Sequence, residues 1–132
     1  MGLLSTDSNR KIITIAGTNG KGSTATFLSS VLSDEILNNN IGLFTSPHML
    51  KINERFKVNN TDVSDKLLCK AFLSIENSRG NILLTYFEFC TLAAFWLFKK
   101  NNCNIWILEV GLGGKLDSVN ILDADIAILT NV

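Results

Sequence analysis

Cysteine and proline are scarce in this chain of 132 residues, which contains one proline and three cysteines. The cysteines, Cys69, Cys90 and Cys103, are odd in number, and no two of them form a Cys-x-x-Cys pair. This spacing argues against a disulfide framework and against the common zinc sites. A reducing compartment is the simplest location for such a chain, so we expect the protein to be cytoplasmic.

The chain also lacks a long hydrophobic run and an excess of either charge. Its apolar runs fall far short of the ~20 residues that a membrane-spanning helix needs. Lys plus Arg and Asp plus Glu number 12 each, so any anion site must be local, and we expect neither nucleic acid nor membrane as a partner. Apolar residues make up 46% of the chain and charged residues 18%, which is typical of one globular domain.

Short apolar runs alternate with helical patterns along the chain. Strands are predicted over residues 12–16, 41–45, 105–110 and 125–130, with a possible β-ribbon through 55–58. Helices are predicted over 23–36, from a Ser64 cap to 79, and from a Thr85–Glu88 capping box to 100. This alternation predicts an α/β fold, a parallel sheet with flanking helices. The asparagines at 38–40 we interpret as compositional bias.

A glycine-rich segment joins the first predicted strand to the first predicted helix. It comprises Gly17, Thr18, Asn19, Gly20, Lys21, Gly22 and Ser23. Glycines let backbone amides converge on a phosphate, and the start of a helix adds partial positive charge. The segment departs from the common phosphate-loop pattern, because Ile15 replaces its first glycine and Gly22 separates Lys21 from Ser23. The alternative is a glycine-rich turn with a solvated lysine, but the strand–loop–helix context favours a phosphate site.

Polar residues follow two further strands at the edge where a parallel sheet binds ligands. Glu109 lies at the end of a predicted buried strand and could hold Mg²⁺, or it could form a salt bridge. Ser46 follows another strand and could ligate the same ion. The only histidine, His48, is either a loop residue or catalytic. Arg55 could meet an anionic substrate or pair with the preceding glutamate.

Four segments together resemble one known family. They are IAGTNGKGST, TSPHMLKINERF, LTYFEFCTLAAFWLF and ILEVGLGGKLDSVNILDADIAILT. In this order they are similar to signatures of folylpolyglutamate synthase and dihydrofolate synthase, of the Mur ligase superfamily. The resemblance covers residues 11–132. It implies a P-loop NTPase-like Mur ligase central domain, of which residues 1–132 would be a part, with the C-terminal glutamate-ligase domain absent.

The resemblance also implies roles for individual residues. Lys21 and Glu109 would be catalytic, and Ser46 and Glu109 would bind Mg²⁺. The glycine-rich segment, residues 17–23, would bind the phosphates of ATP. The substrate-binding residues would be Thr85, Tyr86, Phe87, Glu88, Lys115, Leu116 and Asp117. The family usually has arginine at the position of Lys115, so the bidentate fork would be lost there while the positive charge is kept.

The chemistry implied by the resemblance is ATP-dependent amide formation. A carboxylate of dihydropteroate or of a folate would attack the γ-phosphoryl group, and the amine of L-glutamate would then displace phosphate from the acyl phosphate. ATP and Mg²⁺ are the implied cofactors, and a monomer is the implied state of the full-length protein. LTYFEF resembles the bifunctional bacterial type. The alternative is a catalytically inactive remnant that at most binds nucleotide.

Overall fold

The computed structural model describes residues 9–111 and 117–131. The strands are β1 (Lys11–Ala16), β2 (Ile41–Phe44), β3 (Phe56–Val58), β4 (Thr61–Asp62), β5 (Ile105–Glu109) and β6 (Ile126–Leu129). The helices are α1 (Lys21–Leu32), α2 (Asp65–Arg79) and α3 (Tyr86–Lys100). Within the described ranges, no helix is long and apolar enough to cross a membrane.

All six strands form one sheet in the order β4-β3-β2-β5-β1-β6. The four neighbouring strands β2, β5, β1 and β6 are parallel, as the alternation of strands and helices predicts. The prediction of a wholly parallel sheet is wrong at one edge, where β3 and β4 are antiparallel. The short turn between these two strands leaves no room for a crossover helix, so they pair as a hairpin. The possible β-ribbon is thereby confirmed.

Helices cover both faces of the sheet. α1 packs on one face, against the side chains of Ile13, Ile15, Leu43 and Ile107. α2 and α3 cover the other face over a larger core that includes Phe44, Phe98 and Trp106. The backbone of β2 meets α3 closely at Gly42, because a Cβ there would overlap the ring of Phe98. The ends of β2, β5 and β1 therefore lie between two helical layers, whereas the edge strand β6 is largely exposed.

Side-chain caps start α2 and α3, as predicted. Ser64 accepts a hydrogen bond from the Leu67 N–H at 3.2 Å, and Thr85 and Glu88 form a reciprocal capping box. The helix predicted over 23–36 is instead α1, which starts at the phosphate-loop lysine and ends at Leu32. The Ser33 hydroxyl donates to the Ser29 carbonyl at 2.6 Å at this end, and side chains that bond nearby carbonyls favour termination over continuation.

Asparagines connect the strands at the amino end of the sheet, opposite the predicted site. The Asn40 N–H donates to Asn104 Oδ1 at 2.6 Å, and the Asn40 side chain donates to the Asn101 carbonyl. The Ile41 N–H donates to Asn59 Oδ1 at 2.8 Å. The interpretation of the asparagine run as mere compositional bias is therefore wrong for Asn40, whose amide joins β2, β5 and the end of α3.

Candidate active site

The predicted phosphate loop connects β1 to α1, as expected from the sequence. Gly20, with a φ of 78°, precedes α1 without a side-chain cap. The first hydrogen bond that α1 makes to this turn runs from Thr24 N–H to the Gly20 carbonyl at 3.0 Å. The N–H groups of residues 21–23 at the start of a helix have no intrahelical acceptor, and they point toward the space beyond the β-strand ends.

Lys21 lies within this loop and folds back on it. Its Nζ donates to the Gly17 carbonyl at 2.8 Å, which closes the loop into a ring of five residues. The ammonium group also lies near Glu109, where its charge opposes the rise of the carboxyl pKa. The lysine is therefore held at the junction between the loop and the end of β5, where it can meet an anion that lies over both.

Glu109 ends β5 and is 4% exposed. One of its oxygens accepts the Ser46 N–H at 2.8 Å, so the ends of β2 and β5 are joined through this carboxylate. Burial raises the pKa of Glu109, while the Ser46 amide, Lys21 and Arg55 act in the opposite direction. A methyl group at Gly22 would lie 3.9 Å from both carboxylate oxygens, so the first turn of α1 passes beside them.

The donor set at this point fits a magnesium ion that is shared with phosphates. Among residues 9–111 and 117–131, no group of three or more His, Cys, Asp and Glu side chains could hold a metal. Mg²⁺ does not need such a cage, because it is usually bound through one or two carboxylates, with water and phosphate oxygens completing the shell. Glu109 with Ser46 beside it matches that arrangement. Burial makes the charged form of Glu109 costly, and a metal ion would offset that cost.

A cleft of about 440 Å³ opens next to these residues. Its lining contains eleven residues: Lys21, Ser46, Pro47, Arg55, Thr85, Phe87, Glu88, Glu109, Gly111, Asp117 and Ser118. One cleft at the carboxyl edge of the sheet therefore contains residues from three separate predictions. These are the lysine of the predicted phosphate loop, the predicted metal ligands and part of the predicted substrate pocket. This is where open α/β sheets bind ligands.

The predicted substrate residues are only partly brought together. Thr85, Phe87, Glu88 and Asp117 line the cleft, whereas Tyr86 is 58% exposed and its ring faces Arg55 at 5.4 Å. Lys115 and Leu116 lie outside the described residues.

Asp117 has a clear structural role within the cleft. It is 8% exposed, and its carboxylate accepts the Gly111 N–H at 2.8 Å and the Val119 N–H at 3.0 Å. These bonds bring the segment after residue 116 back to the end of β5. Thr85 and Glu88 likewise cap the start of α3. Asp117, Thr85 and Glu88 therefore each have a structural role, whatever ligand the cleft binds.

Sequence reasoning left Arg55 and His48 open, and the structure pairs them. Arg55 Nε donates to His48 Nδ1 at 2.8 Å, so the histidine orients the guanidinium. Glu54 does not pair with Arg55. Its carboxylate accepts three backbone amides from Met49, Leu50 and Lys51 at 2.8–2.9 Å, and these bonds lower its pKa to about 2. Arg55 is thus a second cation in the lining of the cleft, besides Lys21.

Two residues that sequence reasoning missed hold the phosphate loop. Asn131 Oδ1 accepts both the Thr18 N–H at 3.0 Å and the Asn19 N–H at 2.9 Å. The Thr130 hydroxyl donates to the Asn19 carbonyl at 2.7 Å. Both follow the last strand, more than a hundred residues away along the chain, so no local pattern connects them to the loop.

A family model matches this chain over most of its length. The model of the Mur ligase middle domain covers residues 15–132, which include the loop, the metal pair and the cleft. The chain belongs to the Mur ligase middle-domain family. In this family member the predicted phosphate loop has a glycine on each side of its lysine, namely Gly20 and Gly22. Gly22 is the residue that makes the spacing depart from the common pattern.

The chain is also similar to parts of several longer proteins. A dihydrofolate synthase/folylpolyglutamate synthase of Buchnera aphidicola is 48% identical over 119 residues, which are 90% of this chain and 28% of that protein. Two solved structures are similar at TM-scores of 0.89 and 0.86. The first is Escherichia coli FolC in complex with DHPP and ADP, 43% identical over 98% of this chain and 30% of that one.

The second is the bifunctional folylpolyglutamate synthase/dihydrofolate synthase of Yersinia pestis complexed with AMPPNP and Mn ion, 44% identical. The matched region covers 97% of this chain and 30% of the Yersinia chain. The chain therefore spans less than a third of the length of the relatives that it matches. Within that span, the predicted family and the predicted α/β fold are confirmed.

Proposed function

We propose that this chain is the phosphate-binding part of a dihydrofolate synthase/folylpolyglutamate synthase. The reaction joins L-glutamate to dihydropteroate or to a folate at the expense of ATP. The observation that carries the proposal is the convergence of Lys21, Ser46 and Glu109 on one cleft, next to a half-buried aromatic wall at Phe87. Relatives with both activities in their names support the two substrates.

Each step of the reaction needs a charge that the cleft supplies. The substrate carboxylate attacks the γ-phosphorus of ATP, the bond to the β-phosphate oxygen breaks, and ADP leaves. This attack brings one anion to another, and Lys21 and Arg55 provide positive charge in the lining of the cleft. Mg²⁺ bound at Glu109 and Ser46 would neutralise phosphate charge.

The second step is attack of the L-glutamate amine on the acyl phosphate. The new C–N bond forms, the C–O bond to phosphate breaks, and the amine loses a proton. Within the described residues, the cleft places Glu88 and Asp117 near its rim, but both carboxylates are engaged with backbone amides. We therefore assign them to holding α3 and the segment after β5 in position, and not to moving the proton.

The setting of this activity follows from the same features. We propose that the protein acts in the cytoplasm on small molecules, because its charge is balanced and its cysteines are free. We propose a monomer for the full-length protein because the resemblance to the family implies it. Of the three cysteines, Cys90 and Cys103 are buried, and burial raises the pKa of the Cys103 thiol to about 12, so it stays protonated and inert.

The test is ATP binding by the chain and by its Lys21→Ala variant, measured by calorimetry with Mg²⁺ present. Loss of a charge-assisted contact to phosphate should weaken binding about 10- to 100-fold. The matched control is Lys66→Ala, which removes an exposed lysine of α2. Equal affinity of the wild type and Lys21→Ala would refute the phosphate-loop assignment.

Turnover is tested separately from binding. Phosphate release from ATP is measured with dihydropteroate and L-glutamate, and then with a folate and L-glutamate. Release that needs both co-substrates supports a synthase. ATP binding without any release supports the remnant that at most binds nucleotide.

A further inference from the structure

The end of β6 is tied to the phosphate loop by side chains as well as by the backbone. The Thr130 N–H donates to the Ala16 carbonyl at 3.0 Å, which extends the pairing of β6 with β1. Beyond this point the Thr130 hydroxyl reaches the Asn19 carbonyl, and Asn131 Oδ1 receives the amides of Thr18 and Asn19. Both polar groups of the Asn19 peptide are therefore satisfied by one short segment.

Gly17 makes this contact possible. Its φ is +134°, and a Cβ at this position would overlap the Thr130 hydroxyl. Any side chain at 17 would therefore be strained in the backbone and would also displace Thr130. The glycine that begins the loop is needed for the approach of β6, in addition to any approach of a phosphate.

The loop amides divide into two sets. Those of Thr18 and Asn19 are occupied by Asn131, whereas those of residues 21–23 open α1 and have no acceptor within the helix. An anion can bind the second set while the first set stays in place. The bonds to Asn131 are thus compatible with a bound phosphate, and they hold the loop through amides other than those at the start of α1.

We propose that Thr130 and Asn131 are positioning residues for nucleotide binding, because they hold the loop in the shape that presents the α1 amides and Lys21. This inference rests on the proposed function of the loop. The physical reason is entropy: a loop that is already ordered loses less conformational freedom when its ligand binds. Since residues 18–20 are exposed, water can replace the lost bonds, and the fold does not depend on them.

The experiment uses the whole chain and three variants. Asn131→Ala removes the side-chain acceptor of two amides but leaves the Thr18 N–H its second acceptor, the Asn131 backbone carbonyl at 3.3 Å. Thr130→Val removes one hydroxyl at constant shape. Asn101→Ala is the matched control, since it removes an asparagine hydrogen bond to the Leu97 carbonyl at the opposite edge of the sheet. Each protein is measured for Mg²⁺–ATP affinity by calorimetry, for Tm, and for hydrogen exchange at the amides of Thr18 and Asn19 by NMR.

We expect Asn131→Ala and Thr130→Val to bind ATP about five- to tenfold more weakly, the loss of one ordinary hydrogen bond or slightly more. The exchange of the Asn19 amide should accelerate at least tenfold in Asn131→Ala, with Tm close to that of Asn101→Ala. The Thr18 amide keeps the Asn131 backbone carbonyl as an acceptor, so its exchange should change less. Asn101→Ala should keep the affinity of the wild type.

Two results would overturn the inference. If Asn131→Ala binds ATP as tightly as the wild type, the contact does not position the loop. If it binds more tightly, the Asn131 oxygen competes with phosphate for the amides. Both results leave the proposed function standing as long as Lys21→Ala loses affinity. A wild type that fails to bind ATP at all overturns the proposed function and the inference with it.

Discussion

Gly111 follows β5 and faces the ring of Phe87 across the cleft. A Cβ built at this position would lie 2.6, 2.8 and 3.1 Å from three ring atoms of Phe87. The φ of Gly111 is not in the left-handed region, so the backbone accepts alanine without strain. The substitution Gly111→Ala therefore isolates one steric effect, the overlap of a methyl group with an aromatic ring.

The magnitude follows from the distance that the ring must move. Carbon atoms pack best at about 3.5–4.0 Å, so Phe87 has to retreat by about 1 Å. A shift of the Phe87 ring changes the contact between this ring and Phe44, whose ring centroid lies 5.7 Å away. Overpacking of this kind costs about 1–3 kcal/mol, and we expect about 2 kcal/mol because the half-buried ring can move part of the way into the cleft.

Urea unfolding, followed by tryptophan fluorescence, measures this loss of stability. The double variant Gly111→Ala/Phe87→Leu should be less destabilised than the sum of the two single variants by at least about 1 kcal/mol, because leucine vacates the space that the methyl group enters. Gly22→Ala is the matched control, since its Cβ would meet nothing closer than 3.9 Å.

Two outcomes would refute the steric argument. One is a Gly111→Ala variant as stable as the wild type. The other is strict additivity in the double variant, which would mean that the two side chains do not compete for one space. A change in the m-value would point instead to an altered unfolded state.

Two carboxylates of the site should respond to pH in opposite directions. Burial raises the pKa of Glu109 above its ordinary 4.5, so its stabilising contribution is present below pH 4.5 and is lost as pH rises through the folded-state pKa. In the presence of a chelator, Glu109→Gln should thus have a higher Tm than the wild type at pH 7.5, by about 4 °C for each kcal/mol gained in the free energy of unfolding. This difference in Tm should disappear toward pH 4. A difference that stays constant with pH would contradict the prediction. The pKa of Glu54 is lowered to about 2, so its hold on the loop at residues 49–51 should be present above pH 4.5 and lost toward pH 2. The protection of those three amides from hydrogen exchange, taken relative to the intrinsic exchange rate at each pH, should fall over that interval. The protection of the Leu67 amide, which is bonded to the Ser64 hydroxyl, should not change in step with it.

Local patterns predicted much of the site because its main parts are short segments. The strand–loop–helix around Lys21 and the capping box of Thr85 and Glu88 lie within a few residues of sequence. Glu109 and Ser46 were placed correctly because parallel strands end at one edge of a sheet, so residues that follow separate strands meet there. Once the alternation of strands and helices is recognised, their proximity follows from topology.

Other parts of the site depend on contacts that local patterns do not specify. The pairing of Arg55 with His48 and the exclusion of Tyr86 from the cleft lining have no local signature. The pattern over 55–58 indicated a ribbon but not its antiparallel place at the edge of the sheet.

The sequence by itself determined the order of strands and helices and the strand–loop–helix around Lys21, because each of these depends on neighbouring residues and on their periodicity. Only the tertiary structure decided what holds the loop. Asn131 lies 112 residues from Asn19, yet one amide oxygen serves two loop amides, because β6 pairs with β1 and its end comes to lie beside the loop. Such a contact is created when the sheet assembles, so no spacing within the sequence could have indicated it.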